Sequence, residues 1–307
     1  ILNGASWRWL FLINVPLVGA GLLMAWRMIA QDPPRAEGRP RVDIIGLLLL
    51  VPALALIVLG LSNIASDGGA GHADVIAPLS CGAALLAAFT LWALRHGHDA
   101  AVDLSLLRLR SLATSSAVLF TAGAALYAGM FLLPLYWQQL RGMGVLAAAL
   151  LLVPQGVGAL LARVIAGVIA TRLGARTLTI GAFVVTALGT LPFAFADGST
   201  SAWWLGLVLF VRGLGVGAVI MAPLMVAYVE VGREEMPHAT MLTRITQQVG
   251  ASVGVAIVAV VLQAFLDRGA ADAFRISFWW LIGITLLALV PALAFRHESL
   301  EATTAEG

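Results

Sequence analysis

Nine long apolar segments constrain what this chain can fold into more than any other feature of its sequence. A helix that crosses a bilayer needs about 20 mostly apolar residues. The segments that meet this requirement are 8–29, 43–63, 75–94, 111–137, 146–170, 176–196, 202–228, 239–266 and 275–295. Short connections, several of them rich in Asp, Gly and Pro, separate these segments. We therefore predict an all-α polytopic membrane protein with nine transmembrane helices.

The overall composition excludes the other broad classes of protein. Hydrophobic residues make up 61% of the 307 residues and charged residues only 11%, whereas a soluble domain carries about 25% charged residues. So few charges could not cover the surface of a soluble enzyme, and the chain is too apolar to be disordered. The single cysteine, Cys81, lies in an apolar segment, and we interpret it as a small core residue rather than a reactive thiol.

The positions of tryptophan support the predicted helix ends. An indole ring is apolar but carries an N–H donor, which suits it to the membrane–water interface. All the tryptophans lie within about two turns of a predicted end. They are Trp7, Trp9, Trp26, Trp92, Trp137, Trp203, Trp204, Trp279 and Trp280.

The arginines in the connections predict how the helices are oriented. One side of the membrane carries eleven of them: Arg27, Arg35, Arg39, Arg41, Arg95, Arg108, Arg110, Arg172, Arg176, Arg233 and Arg296. The opposite side carries four: Arg8, Arg141, Arg268 and Arg275. Because Lys and Arg are enriched in cytoplasmic loops, we expect the first side to be cytoplasmic. The predicted location is the inner (plasma) membrane, with the tail 296–307 in the cytoplasm.

Three arginines lie inside predicted membrane segments, where no Asp or Glu occupies a mid-segment position. Arg244 is close enough to the cytoplasmic end for its side chain to reach the interface. Arg163 fits that interpretation and an interior position equally well. Arg212 lies near mid-depth, so we predict that it faces a cavity.

The eighth segment is the most polar. Thr240, Thr243, Arg244, Gln247, Ala251 and Gly254 follow helical spacing along one stripe, with Gln248 beside it. Polar groups on one face favour the lining of a cavity, although hydrogen bonds between helices would also explain them. We predict close helix packing at Gly250-x-x-x-Gly254 and at Gly213-x-x-x-Gly217.

Several motifs resemble those of a known family. The run Ser6–Pro16, SWRWLFLINVP, resembles the signature at the sixth helix of the drug:proton antiporters with fourteen transmembrane helices, a family of the major facilitator superfamily. The runs 134–138, 152–156 and 172–176 resemble later motifs in the family's order and spacing. Arg212-Gly213-Leu214-Gly215-Val216-Gly217 resembles its Arg–Gly helix motif.

A cytoplasmic loop also resembles a motif of that superfamily, with one departure. Its candidate residues are Gly167, Arg172, Gly174 and Arg176. In the superfamily, glycine permits a tight turn in this loop, and the arginines pair with helix ends and acidic groups. Thr171 stands where the superfamily usually has Asp, which puts a charge-paired latch at this loop in doubt.

The resemblance implies a domain organisation. Residues 1–29 would be the last helix of an N-terminal bundle, and 30–110 would hold two extra transmembrane helices with cytoplasmic linkers. Residues 111–295 would form the C-terminal six-helix bundle, in which three helices followed by three suggest an inverted repeat. The chain would then be a fragment that lacks the first five of fourteen helices.

The resemblance also implies a function, namely multidrug efflux leading to drug resistance. The protein would be an antiporter that exports hydrophobic or cationic small molecules in exchange for protons, by alternating access. We expect the proton-coupling carboxylate in the N-terminal part, so that these residues alone would not transport. The implied partners are substrates, protons and lipid, with no nucleic acid.

Candidate residues for the substrate cavity are Tyr127, Gln155, Arg212, Gln247 and Gln248. We predict no catalytic residue, cofactor or metal site, and no enzymatic activity. Two alternatives remain open. One is a dedicated exporter of a single metabolite or antibiotic. The other is a non-transporting scaffold or sensor on a degenerate transporter fold, which Thr171 mildly favours.

Overall fold

The structure is a computed structural model that describes residue 12 and residues 14–28, 43–67, 73–97, 102–232 and 234–295. Most of the opening signature, the connection 29–42 and the tail 296–307 lie outside the described residues. The N-terminal helix α1, Asn14–Met28, belongs to one compact unit, and the residues from Asp43 onward belong to another. Helix α1 is therefore described by itself. Trp26 is exposed on α1.

The described residues after 42 form helices wherever the sequence predicted membrane segments. They are α2 (Ile44–Asp67), α3 (Ala73–His96), α4 (Arg110–Leu135), α5 (Val145–Thr190), α6 (Ala202–Val219), α7 (Met221–Ala227), α8 (Met236–Phe265), α9 (Ala270–Leu287) and α10 (Leu289–Leu293). Short 3-10 segments follow α5 and α8, and a π-helical turn, Tyr136–Leu140, extends α4.

Seven helical stretches among the described residues are long and apolar enough to cross a membrane. They are Ala73–His96, Arg110–Leu140, Val145–Ala170, Arg172–Ala194, Ala202–Ala227, Met236–Arg268 and Ala270–Leu293. Ile44–Gly60 is a shorter apolar helix, and the described part of α1 has 15 residues. The prediction of an all-α polytopic membrane protein is confirmed.

Helix α5 contains two predicted membrane segments, and its backbone changes direction between them at a single residue. Gly174 has φ 80° and ψ 153°, which is a non-helical conformation within an otherwise continuous run. Side chains rarely tolerate this region, whereas glycine has no Cβ to clash. We refer to the two parts as the first half of α5, Val145–Ala170, and the second half, which begins at Arg172.

Helices α2 and α3 form a hairpin whose two ends are each held by a hydrogen bond between side chains or from a side chain to the backbone. The carboxylate of Asp43 accepts the N–H of Gly46 at 2.8 Å, which caps α2, and the indole N–H of Trp92 at 3.2 Å. At the other end, the amide of Asn63 donates to the carbonyl oxygen of Asp74 at 2.8 Å. Cys81 is exposed on α3, so its interpretation as a core residue is wrong. An apolar cysteine side chain is also stable on a surface that faces lipid.

Two helix pairs in the bundle pack through glycine. Between α4 and α8, Gly250 contacts the backbone of Phe120 and Gly254 contacts that of Ala124. Between the first half of α5 and α6, Gly213 contacts the backbone of Gln155 and Gly217 contacts that of Ala159. A methyl group at any of these glycines would overlap a backbone carbonyl, so the predicted close packing at both motifs is confirmed.

Hydrogen bonds between connections agree with the predicted alternation of the helices across the membrane. Ser111 donates to the carboxylate of Glu230 at 2.7 Å, and both residues lie on the predicted cytoplasmic side. Arg141 donates to the carbonyl oxygens of Asp197 and Thr200, each at 2.7 Å, on the opposite side. Connections that were assigned to one side therefore meet in the structure.

The tryptophans do not all face outward as an interfacial belt would require. Trp203, Trp204, Trp279 and Trp280 are exposed, but Trp137 is fully buried. An aromatic cluster encloses it, and the ring of Phe193 packs edge-on against it with centroids 6.4 Å apart. The position of Trp137 near a helix end was therefore correct, but its side chain belongs to the core rather than to an interfacial belt.

Candidate functional site

Arg212 is the only charged side chain within a described membrane-crossing helix that the bundle encloses completely. It lies ten residues after the start of α6, about 15 Å along the helix axis. Its side chain is 1% exposed. A charge at this depth is costly in a membrane and usually marks a functional position.

Two neutral acceptors hold the guanidinium group of Arg212. Its Nη1 donates to Oε1 of Gln155 at 2.8 Å, and its Nε donates to Oγ1 of Thr190 at 3.1 Å. The hydroxyl of Thr190 donates its own proton to the carbonyl oxygen of Thr186 at 2.7 Å, which leaves its lone pair free to accept. Arg212 therefore joins α6 to both halves of α5 without using a carboxylate.

Glycines make the space for this arginine. Gly129 of α4 lies against the Nη2 atom of Arg212, and a methyl group at that position would overlap the guanidinium. Gly189 lies against the backbone of Arg212. A Cβ added at residue 189 would be only 2.7 Å from the Cα atom of Arg212. Nη2 has no hydrogen-bond partner among the described residues. The site thus combines a fixed cation and an unpartnered Nη2 group at the point where α4, α6 and both halves of α5 meet.

The structure brings together only two of the five predicted cavity residues. Gln155 and Arg212 are hydrogen-bonded, whereas no hydrogen bond among the described residues joins either to the other three. Tyr127 is 39% exposed on α4, Gln247 is half-buried on α8, and Gln248 is exposed on α8. These three stay predictions as cavity-lining residues.

The polar stripe predicted on α8 divides into two parts. Thr243 is buried and donates to the carbonyl oxygen of Thr240 at 2.9 Å, so the hydroxyl of Tyr228 donates to Thr243 at 3.0 Å. Gly254 and Ala251 are also buried, on the side that packs against α4. Arg244 is exposed, as are Thr240 and Gln248. The stripe therefore serves packing along one edge and is open along the other.

The loop motif lies at the reversal within α5. Gly167 and Arg172 are exposed, and Arg176 is half-buried. Gly174 forms the turn with its positive φ, so a residue of the motif directs the second half of α5 back across the membrane. The side chain of Thr171 lies outside the described residues.

Sequence reasoning missed Thr190, Gly129 and Gly189, which complete the surroundings of Arg212. Thr186 and Thr190 are one helical turn apart, and each hydroxyl bonds the carbonyl four residues earlier. Threonines at that spacing within an apolar helix were the available signal, and attention to charged and amide side chains alone does not find them. The two glycines carry no signal of their own, since glycine occurs throughout these helices.

Comparisons with known proteins agree on one family. The sequence profile of the Major Facilitator Superfamily matches residues 1–255. The chain is 31% identical over 265 residues to the "Multidrug resistance protein B homolog" of Mycobacterium tuberculosis, which covers 85% of this chain and 48% of that protein.

Two further relatives carry names that refer to particular products. The "Probable actinorhodin transporter" of Streptomyces coelicolor is 30% identical, over 83% of this chain and 45% of that protein. The "Aspyridones efflux protein" of Neocamarosporium betae is 28% identical, over 82% of this chain and 46% of that protein. The chain spans about half the length of the curated relatives it matches.

Proposed function

The chain belongs to the Major Facilitator Superfamily, and we propose that it forms the C-terminal part of an efflux transporter that exports hydrophobic small molecules in exchange for protons. It is a multi-pass membrane protein, and the proposed location is the inner (plasma) membrane. The names of several relatives refer to efflux or drug resistance, which supports the proposal.

The buried Arg212 is the observation that carries this proposal. Its hydrogen bonds to Gln155 and Thr190 connect three membrane-crossing segments near mid-depth. Charged residues inside membrane segments usually mark substrate or ion pathways, since their burial is costly. A transporter that changes shape needs interactions that can be exchanged between conformations, and the unused Nη2 donor is suited to such an exchange.

The proposed mechanism is alternating access between two bundles. Residues 111–295 would form the second six-helix bundle, and 1–29 the last helix of the first. The pair α2 and α3 would be an insertion between the bundles. Rocking of the bundles about a central site is the usual mechanism for folds built from repeats.

Proton coupling requires a group that titrates within the membrane. The described membrane-crossing helices contain no Asp or Glu at a mid-helix position. We therefore assign the coupling carboxylate to the first bundle. The family resemblance supports this assignment. A mid-membrane Asp or Glu in the first bundle of the full-length protein would agree with it.

Substitution of Arg212 tests the proposal. In the full-length protein, Arg212→Ala removes two charge-assisted hydrogen bonds, each worth about 1.5–3 kcal/mol. We expect the initial rate of dye efflux from loaded cells to fall at least about tenfold, which corresponds to about 1.4 kcal/mol. Arg212→Lys keeps the charge and should retain part of the rate.

A matched control separates this effect from general damage. Arg275 is exposed at the start of α9 and pairs with Asp272 at 2.8 Å. Arg275→Ala should transport like the unmodified protein, and all variants should be compared at equal amounts of monodisperse protein. Unchanged dye efflux by well-folded Arg212→Ala would contradict the assigned role.

A dedicated exporter of one metabolite is the second candidate. The relatives named for actinorhodin and for aspyridones favour it, because each name refers to a single compound class. A panel of unrelated dyes and drugs distinguishes the two functions. Resistance to many of them favours multidrug export, and resistance to one chemical class favours the dedicated exporter.

A further inference from the structure

One face of α8 is exposed although it is polar and lies within the membrane segment. Thr240, Arg244 and Gln248 are spaced four residues apart, so they stack along one side of the helix. Gln248 is twelve residues after Met236, about 18 Å along a helix of 30 residues. Exposure of an amide at that depth to lipid would be costly, so lipid is an unfavourable neighbour for this face.

The packing of α8 fixes the direction of this polar face. Gly250 and Gly254 lie against α4, and Ala239 and Leu242 lie in a cluster with residues of α2 and α3. The face with Thr240, Arg244 and Gln248 is therefore the part of α8 that no described helix covers in its cytoplasmic half. It is fixed in orientation by contacts on the neighbouring sides.

A depression lies at the cytoplasmic end of this face. Its volume is about 590 Å³, within the range of small-molecule sites. Its lining residues are Met236, Pro237, Thr240, Met241 and Arg244. This lining is mostly apolar, with one cation and one hydroxyl, and it belongs to a single stretch of α8 that leaves the depression open. Methionine side chains adapt to ligands of different shape.

Both signs of charge occur near this depression, because Glu234 and Glu235 directly precede Met236 at its cytoplasmic edge. Arg244 makes no ion pair within the described residues, and the guanidinium of Arg212 is enclosed and bonded to Gln155 and Thr190. Arg163 is exposed on α5. The membrane segments described here contain no mid-helix carboxylate that would attract a cation. Arg244 is therefore the charged side chain among the residues that line the depression itself.

We propose that this face of α8 binds the acidic group of an amphiphilic organic anion, which Arg244 pairs with while the apolar walls contact the hydrophobic body. The inference rests on the proposed export function and narrows its substrate class from hydrophobic small molecules to hydrophobic acids. Guanidinium–carboxylate pairing is strong when water is partly excluded, and the hydroxyl of Thr240 lies one turn away to supply a second hydrogen bond.

Direct binding tests this assignment with two probes that share one hydrophobic body. Pyrenebutyrate is an anion and pyrenebutylamine a cation at neutral pH. Each is titrated into the purified full-length protein in nanodiscs of neutral lipid, and the dissociation constant is read from pyrene fluorescence anisotropy. We expect the anion to bind at least about tenfold more tightly than the cation.

Three variants locate the preference. Arg244→Gln should weaken pyrenebutyrate binding by about tenfold, while Arg244→Lys should retain most of it. Arg244→Glu should make pyrenebutylamine the preferred probe. Arg268→Gln is the matched control, since Arg268 lies just beyond the opposite end of α8 and should leave both constants unchanged.

Several outcomes would overturn the assignment. They are equal affinities for the two probes, an equal loss in Arg268→Gln, or an Arg244→Gln variant that loses only binding of anionic phospholipid. Dye efflux by the unmodified protein is measured in parallel. If efflux is intact but the anion preference is absent, the substrate assignment fails and the proposed function stands. If no compound is exported, the proposed function itself fails.

Discussion

Single residues decide the local conformation where the chain changes direction or encloses a charge. Arg212 is tolerated near mid-depth because two side-chain oxygens accept its protons and two glycines make room for its atoms. Gly174 is tolerated at the reversal of α5 because it has no Cβ. In both cases the neighbouring atoms, rather than the hydrophobicity of the segment, determine which residue is suitable.

Replacement of Gly174 tests its role as the turn residue. Gly174→Ala places a Cβ in a conformation that costs a side chain about 1–3 kcal/mol, so we expect a lower midpoint of thermal unfolding in detergent. Gly181 lies within the second half of α5, and no atom outside its own helix turn lies within 4 Å of the position that a Cβ would take. Gly181→Ala should therefore be neutral or stabilise the protein by about 0.5–1 kcal/mol. Equal midpoints for the two variants would contradict the assigned role of Gly174.

Asp197 organises the connection between the second half of α5 and α6. Hydrogen bonds from Ser199 and Thr200 hold the pKa of this carboxyl group at about 2, below its ordinary value of 3.8. Because the folded pKa is lowered, the contribution of Asp197 to stability is present above pH 3.8 and is lost as the pH falls toward 2.

Nuclear magnetic resonance checks the titration of Asp197 directly. The ¹³Cγ signal of Asp197, identified by its absence in Asp197→Asn, should titrate with a midpoint near 2. Ser199→Ala removes a hydroxyl that donates to Asp197 at 2.7 Å, and it should raise the midpoint toward the ordinary value. A midpoint near 3.8 in the unmodified protein would disprove the described hydrogen bonding.

At the scale of elements, glycine decides which helices pair closely. The pairs α4–α8 and α5–α6 each have glycine at the contact with a backbone carbonyl. Small residues allow backbones to approach, which favours helix association where lipid offers no hydrophobic driving force between helices. The neighbours of α8 then decide which of its polar side chains are exposed, because the same stripe is buried toward α4 and open beyond it.

Alanine at a contact glycine should separate one of these pairs. Gly254→Ala directs a methyl group onto the backbone of Ala124. We expect overpacking to cost about 1–3 kcal/mol, seen as a lower midpoint of thermal unfolding. Gly283→Ala on α9 is the control, since nothing lies within 4 Å of its added Cβ. A loss of stability in the control but not in Gly254→Ala would show that the α4–α8 contact is wrong.

At the scale of the whole molecule, the bundle has a pairing that an inverted repeat requires. If the first three segments of residues 111–295 correspond to the last three, then α4 corresponds to α6, and the first half of α5 to α8. The repeat would therefore relate the glycine-packed pair α4–α8 to the glycine-packed pair formed by α6 and the first half of α5. This supports the proposed repeat, which would let the bundle offer similar interactions in inward-open and outward-open states.

The predicted orientation can be checked by labelling from outside the cell. In full-length protein whose native cysteines, Cys81 among them, are replaced by serine, single cysteines are introduced at Gly198 and at Glu234, which are both exposed. The positive-inside rule predicts that a membrane-impermeant maleimide labels Gly198→Cys in intact cells. It should label Glu234→Cys only after the membrane is opened. The reverse pattern would invert the assigned topology.

The sequence by itself determined where the helices cross the membrane, and it predicted which side their connections face. These properties depend on segment length, hydropathy and the local placement of Trp and Arg, all of which can be counted along the chain. It also predicted close packing at Gly213, Gly217, Gly250 and Gly254, because small residues four apart form a smooth helical surface.

Only the tertiary structure decided what the polar side chains contact. Arg212 finds Gln155 and Thr190 across helix contacts that are 57 and 22 residues apart in sequence. Trp137 is enclosed although other tryptophans near helix ends are exposed, and Arg244 is open although Thr243 beside it is buried. A segment's hydropathy does not specify which neighbour covers which side of a helix. That depends on how several helices pack at once, and it separates a buried charge from an accessible one.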